Sequence, residues 1–363
     1  MTTDVLEDLI QFELPDELAA PEPPEARGLE RDEVRLMVTG IGSDEIHHTE
    51  FTQLASFLER GDVLVVNDSA TINASLPAVR VAFPDDNVRL HLSTQLDEAH
   101  WIVELRHAIG KGSAALRDAA AGERVRLPAN VEAELVEPWP RRDGTSGNAT
   151  RLWRAALTLP NGFVPYTCRY GEPIRYSYVP KPWPLSYYQT IFAREPGSAE
   201  MPSAGRPLSA RVLAALTVRG VRIVALTLHT GVSSLESAEA PYPERYRVPE
   251  ETAEAVNEAK RRGGRVIAVG TTVVRALETV TGDGLVHADA GWTDRVVTRE
   301  APPRVVDGLI TGFHAPRASH LAMLEAFAGR DELTRAYETA IQRRYRWHEF
   351  GDIHFIAPRN TVL

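Results

Sequence analysis

The chain has 363 residues, enough for two domains with separate cores, and its 40 Lys and Arg against 50 Asp and Glu leave a formal net charge of −10. That balance argues against a broad basic nucleic-acid surface, although Lys260–Arg265 and Arg343–Arg346 are local basic clusters that equally suit solvated helix ends. No apolar run approaches the ~20 residues of a membrane span, Met1–Gln11 lacks the basic start of a secretory signal, and the single Cys168 excludes an internal disulfide. A reducing cytoplasm is the expected setting, with Cys168 a small buried or half-buried residue.

In chain order, Phe12–Ala19 begins extended and breaks at Pro15, and with Pro21–Pro24 it reads as an N-terminal strand and a wrapping arm. Val34–Val38 predicts a strand, Phe51–Leu58 a short helix closed by Gly61, and Asp62–Asn67 a buried strand. From Leu76 to about Leu159 the texture becomes short, alternating and β-rich without intervening helices, as in a small antiparallel barrel or sandwich. Arg141–Thr150 is a polar loop within it. Gly162–Phe192 is dense in Pro, Tyr and Trp, which predicts an extended segment. It either walls a ligand site, where rings stack on a nucleobase, or packs as an interdomain connector.

Beyond Gly197 the pattern turns α/β. Ser209–Arg219 reads as a helix with a Ser cap and Gly220 as its stop, and Pro249–Arg262 as a second helix ended by Gly263 and Gly264. A Gly-rich hairpin near Thr281–Gly291, helices at Ser319–Ala328 and Glu332–Tyr345, and a last strand at Ile353–Ile356 complete the chain.

Three stretches share one grammar. Arg265–Glu278 (R-V-I-A-V-G-T-T-V-V-R-A-L-E) is a strand, a tight turn at Gly270 and a helix whose start, near Thr271 and Thr272, favours an anion. Gly220–Ser234 is a strand ending on His229, Thr230 and Gly231, and Arg304–Leu324 a strand running into Thr311, Gly312 and His314. Ligands of α/β sheets gather at the carboxyl ends of strands, so the three ends together predict one shared pocket, although each alone is an ordinary strand-to-helix turn. Phosphate loops, G-x-G-x-x-G turns, H-E-x-x-H and G-x-S-x-G are all missing, and the dispersed histidines lack metal-ligand spacing, so no metal is expected.

Taken in order, F-E-L-P at Phe12, G-D-V-L-V-V-N-D at Gly61–Asp68, Y-Q-T-I-F-A at Tyr188–Ala193, P-S-A-G at Pro202–Gly205, T-L-H-T-G at Thr227–Gly231, the Gly-Thr-Thr stretch, V-V-D-G-L-I-T-G-F-H-A-P at Val305–Pro316 and Y-R-W at Tyr345–Trp347 resemble the S-adenosylmethionine:tRNA ribosyltransferase-isomerase family of queuosine biosynthesis. The resemblance implies an α/β main domain at 1–60 and 160–363 carrying an inserted antiparallel β-barrel at 61–159. It implies transfer and isomerisation of the ribosyl portion of S-adenosylmethionine onto a 7-aminomethyl-7-deazaguanine base in a tRNA anticodon loop, giving epoxyqueuosine with adenine and methionine released and no metal required. The protein is expected to act as a cytoplasmic monomer, away from membranes.

On that resemblance, Thr271, Thr272 and Gly270 hold an anion such as the methionine carboxylate, with Arg275 one turn further on or simply paired with Glu278 or another acid. His229 and His314 become candidates for proton transfer, and Asp352 either orients a cationic group or caps a turn. Pro202, Ser203, Ala204, Gly205, Gly231 and Pro316 are carried over as substrate-binding positions from their motifs. The chain also departs from the family. Ala70 and Ser75 stand where two arginines belong, Pro207 replaces a His, Gly312 an Asn, H-T-G-V-S-S-L-E-S-A follows His229, no histidine occurs near Tyr242–Glu244, and E-F-G-D at Glu349–Asp352 replaces S-Y-G-D. These losses keep two alternatives open: a paralogue acting on a small acceptor without tRNA, and a non-catalytic ligand- or RNA-binding relative.

Overall fold

The computed structural model describes residues 9–109, 112–140, 151–232, 241–359 and 361. Its strands in chain order are β1 (Arg35–Gly40), β2 (Ile46–Glu50), β3 (Val63–Asn67) and β4 (Ser69–Thr71), followed by β5 (Ser75–Arg80), β6 (Phe83–Gln95), β7 (His100–Ile109), β8 (Gly112–Ala115), β9 (Arg124–Leu127), β10 (Val131–Trp139) and β11 (Leu152–Ala156). After these come β12 (Glu195–Ser198), β13 (Arg222–Leu228), β14 (Glu244–Val248), β15 (Val266–Val269), β16 (Thr281–Gly282), β17 (Leu285–Val286), β18 (Asp289–Thr293), β19 (Gly308–Gly312) and β20 (Ile353–Ala357).

The body is a nine-stranded mixed sheet in the order β18-β14-β13-β3-β15-β19-β20-β1-β2. Its centre, β13-β3-β15-β19, is parallel, and β3 and β15 are buried along their whole length. Near-continuous apolar runs are what a sheet covered on both faces requires. Alternate residues of β3 serve two cores: Val63 and Val65 meet the helices Glu250–Arg261, Thr271–Thr279 and His320–Ala328, while Leu64 and Val66 meet Phe51–Phe57 and Ala210–Arg219. The last of these helices begins as its sequence indicates, with Ser209 Oγ accepting from Val212 N at 3.3 Å and Gly220 in the left-handed region at φ +83°.

The second sheet is the barrel. Strands β11-β10-β9-β5-β6-β7 close on themselves through β11–β7 pairing, with β8 a hairpin extension of β7. Leu76, Leu90, Val103, Leu105, Val125, Ala133 and Leu135 fill a core separate from those of the body. Closure removes the sheet edges that an open six-stranded meander would expose.

Several expectations need correction. The strand Val63–Asn67, placed within the insert by a boundary at 61, lies at the centre of the large sheet, so the barrel's own strands begin at Ser75. No N-terminal strand forms at Phe12–Ala19; its only regular element is a 3-10 turn at Asp16–Leu18, and Phe12 packs against Tyr337 and Trp347. Gly162–Phe192 is not wholly extended: Phe163–Tyr170 is an eight-residue helix, because Pro165 lies in its first turn where a missing N–H costs nothing. Cys168 is exposed on that helix rather than buried. The loop Arg141–Thr150 lies outside the described residues. Among the described residues no helix is long and apolar enough to cross a membrane, and no group of three or more His, Cys, Asp or Glu residues is placed to hold a metal ion.

Candidate active site

The four central parallel strands end on one edge of the sheet. There Gly270, at φ +95°, donates its N–H to Ile310 O at 2.8 Å and turns the chain from β15 into the helix Thr271–Thr279. A Cβ at 270 would be strained at that φ and would meet Thr272 Oγ1 at 3.4 Å, which explains the glycine. No side chain caps this helix, so its leading N–H groups open onto the cleft. Asn67, at the end of β3, fastens the floor: its Nδ2 donates to Leu228 O at 2.8 Å and lies 3.4 Å from Thr272 Oγ1, while its Oδ1 accepts from Ser69 N and Leu228 N.

The shared pocket expected from the three strand ends is present as a cleft. Thr230, Gly270, Thr271, Thr272, Thr311, Gly312 and His314 line it, and it encloses about 1240 Å³ including its open mouth. Pro202, Ser203 and Ala204 form one wall, because Thr230 N donates to Ser198 Oγ at 2.9 Å and Ala199 N to Thr230 O at 2.7 Å, which brings the segment after β12 alongside. Beyond the helix start lies a second chamber shared with the barrel, lined by Gly231, Thr271, Thr272, Arg275, His320 and the barrel residues Ser93 and Thr94. Gly231 permits this approach, since a Cβ there would fall 2.8 Å from Ser93 Oγ.

His314 and His320 stack in parallel, with centroids 4.5 Å apart and planes 5° from parallel, and His314 Nε2 lies 2.9 Å from Thr311 Oγ1. Burial pushes the His314 ring well below the ordinary histidine range, reinforced by the neighbouring His320, His348 and His354, and burial with the Arg275 charge lowers His320 to about 4. Both rings are neutral at neutral pH, suited to orienting a ligand or accepting a hydrogen bond. The opposite wall is aromatic: Tyr176 and Tyr178 stack at 5.8 Å, Tyr178 and His348 at 4.1 Å, and the Tyr178 hydroxyl donates to Glu349 Oε2 at 2.5 Å.

Other expected positions stand apart from the cleft. His229 turns away, with Nδ1 2.8 Å from Ser69 Oγ, its ring packed on Gly197, in a separate groove with Arg245, Arg247 and Glu195; burial and the Arg245 charge lower it to about 4. Asp352, 4% exposed, accepts from Arg35 N, Nε and Nη2 at 2.9, 3.0 and 2.8 Å and from Arg346 N at 2.7 Å, so it both holds a cation and fastens a turn, without lining the cleft. Gly205 is buried against Thr190 and Val269, behind the wall, and Pro316 follows the cleft residues His314 and Ala315 without lining it. Arg275 pairs with Glu244 rather than Glu278, and its remaining donors go to the carbonyls of Arg295, Tyr242 and Thr293 at 3.0, 2.9 and 3.2 Å. Glu278 instead accepts from the backbone of Arg304, Val305 and Val306.

The Tyr176–Tyr178 pair belongs to Gly162–Phe192, the ring-rich segment expected either to wall a ligand site or to pack as a connector, and it lines the cleft; Glu244, His320 and His348 had no expected role in the site. His320 lies six residues after His314 and its signal was present, whereas Glu244 acquires meaning only through its contact with Arg275. Two further placements bear on the departures from the family pattern. Pro207, Gly312 and Glu349 line one recess with His348. At Ser75, where an arginine was expected, Arg89 of the neighbouring strand donates Nε to Ser75 Oγ at 2.9 Å and Nη2 to Ser75 O at 2.7 Å, so a guanidinium stands beside the position.

A doubly covered mixed sheet with an inserted closed barrel, and a cleft at the carboxyl ends of its parallel strands beside a chamber shared with the barrel, defines an α/β protein with a candidate ligand site at that sheet edge. The family model described as queuosine biosynthesis protein matches residues 7–356, and the chain belongs to that family. It is 35% identical to the S-adenosylmethionine:tRNA ribosyltransferase-isomerase of Natranaerobius thermophilus, across 95% of this chain and 97% of that one. It is 34% identical to the enzyme of the same name from Caldanaerobacter subterraneus subsp. tengcongensis, across 95% and 98%. The crystal structure of the S-adenosylmethionine tRNA ribosyltransferase from Thermotoga maritima covers 95% of the chain and 98% of its own, at 29% identity and a TM-score of 0.52.

Proposed function

We propose that this chain is an S-adenosylmethionine-dependent ribosyltransferase-isomerase acting on a 7-aminomethyl-7-deazaguanine base in tRNA in the cytoplasm, giving epoxyqueuosine with release of adenine and methionine. The observation that carries this reading is the end-to-end likeness to ribosyltransferase-isomerases, which spans both the body and the barrel. The uncapped helix start at Gly270–Thr272 supplies amide donors for a carboxylate. The neutral His314–His320 pair, fixed through Thr311, is positioned to orient the adenine or accept a hydrogen bond from it as it leaves. Arg275 acts at one remove, holding the helix against Glu244 and the 293–295 backbone so that the amides stay aimed.

One departure favours a second reading, in which a small deazapurine rather than tRNA is the acceptor: Ala70 stands where the family pattern has one of its two arginines. Arg89 beside Ser75 weakens that case for the other. The test is to incubate the protein with S-adenosylmethionine, with and without an anticodon stem-loop carrying the deazaguanine, and to quantify free adenine and methionine. Release that requires the RNA supports the proposal; release without it supports the second reading; and no release despite ligand binding refutes both.

A further inference from the structure

The recess where Pro207, Gly312 and Glu349 meet is also lined by Arg31 and Arg206, but both arginines turn to Glu25, Arg206 Nη2 at 2.8 Å and Arg31 Nε at 3.7 Å. Glu349 lines both the recess and the main cleft, and its one side-chain partner is the Tyr178 hydroxyl. Among the described residues it makes no ion pair with any Lys or Arg. Burial, with the Glu200 charge nearby, pushes its carboxyl up to about 7. A buried carboxyl without a cation keeps its proton, and an ammonium group placed beside it would stabilise the ionised form instead. A second group points the same way. Tyr188 lines the same cleft at 3% exposure, and its buried hydroxyl has no hydrogen-bond partner among the described residues; the charges that act on it are those of Glu349, Arg175 and Arg206. An unpartnered hydroxyl can accept from a ligand as well as donate, and the stacked rings of Tyr178 and His348 supply a flat wall beside it. The His, Asn and Ser that the family pattern places at 207, 312 and 349 are all replaced in this one recess.

We propose that Glu349, with the Tyr188 hydroxyl oxygen, is a specificity-determining site that receives a primary ammonium group of a substrate. The inference rests on the proposed function for its two sources of such a group: the aminomethyl of the deazaguanine and the α-amino group of the S-adenosylmethionine portion. Each has a neutral counterpart, the same deazaguanine bearing a methyl group and des-amino S-adenosylhomocysteine against S-adenosylhomocysteine itself.

The test is calorimetric binding of both matched pairs to the full chain and to Glu349→Gln, which keeps the size and a hydrogen bond to Tyr178, with Tyr188→Phe as a milder second variant. For one pair, the native protein is expected to bind the amine about tenfold or more tighter than its neutral counterpart. Glu349→Gln should remove that preference while leaving the neutral ligand within about twofold, and Tyr188→Phe should reduce the preference in part. The pair that responds identifies the source. Equal weakening of amine and neutral ligand, or no amine preference in the native protein for either pair, overturns the inference. Charge-selective binding that persists in a protein releasing no adenine would instead leave this site standing and remove the proposed activity.

Discussion

Arg275→Met is the perturbation whose cost follows most directly from the geometry. Arg275 and Glu244 are 6% and 8% exposed, the guanidinium donates to Glu244 and to three backbone carbonyls, and Glu244 Oε1 accepts from Gly231 N at 3.0 Å. Even with Arg275 beside it, burial holds the Glu244 carboxyl above its ordinary value, so desolvation already outweighs the attraction there. Removing the arginine leaves a buried charge uncompensated, which costs about 3–5 kcal/mol, a large share of the ~5–15 kcal/mol typical of a folded domain. Adding Glu244→Gln removes that charge and keeps an acceptor for Gly231, so the double variant should recover about 2 kcal/mol relative to the sum of the single losses. Urea unfolding followed by circular dichroism, across the native protein, both single variants and the double, reads the coupling. A loss below about 1 kcal/mol for Arg275→Met, or additive losses, would show that the pair does not hold the helix start in place.

Gly270→Ala forces a side chain into φ +95° at the mouth of the cleft; a loss of about 1 kcal/mol or more in unfolding should accompany weaker S-adenosylmethionine binding by calorimetry. Replacing His314 by Phe keeps a flat ring and removes its nitrogens, so adenine release should fall by about 10²-fold or more with the melting temperature little changed; undiminished release would remove His314 from the chemistry. Glu349 and Glu104 give opposite pH signatures. The raised Glu349 carboxyl contributes stability that is full below its ordinary 4.5 and lost as pH rises through about 7, so Glu349→Gln should gain on the native protein in thermal melts between pH 5 and pH 8. Burial alone would raise Glu104, yet His91, Arg151 and Arg106 hold it at about 2, so its contribution is present above 4.5 and lost as pH falls toward about 2, and Glu104→Gln should flatten the acid side of the melting curve.

The strand, turn and helix of Arg265–Glu278 were legible because an all-buried parallel strand reads as an unbroken apolar run and Gly270 marks the break in period. The helix Ala210–Arg219 carried its own punctuation in Ser209 and Gly220. The barrel showed as alternation without helices, but its start did not, since the polar Asp68–Leu76 stretch looks like a loop and holds β4 and the entry to β5. Strand β14 was missed because E-R-Y-R-V alternates too briefly to separate from its Pro- and Tyr-rich approach. Within the site, residues on a single strand end were found together, Thr311 with His314 for one. The groupings that join distant segments were hidden: Pro207, Gly312 and Glu349 share a recess although 142 positions separate the first from the last, and Glu244 meets Arg275 across 31 residues. The ring of His229 faces a separate groove rather than the cleft, which its position at a strand end does not reveal, since position alone leaves open the face a ring takes.

The RNA recovered from one reaction decides whether this chain transfers the ribosyl portion to tRNA. An anticodon stem-loop bearing 7-aminomethyl-7-deazaguanine is incubated with S-adenosylmethionine and the protein, and its intact mass is measured beside the adenine and methionine set free. The expected result is a mass gain on the RNA matching the transferred ribosyl portion, with adenine and methionine each released in equal amount to the modified RNA. An RNA of unchanged mass, with or without adenine in solution, would contradict it.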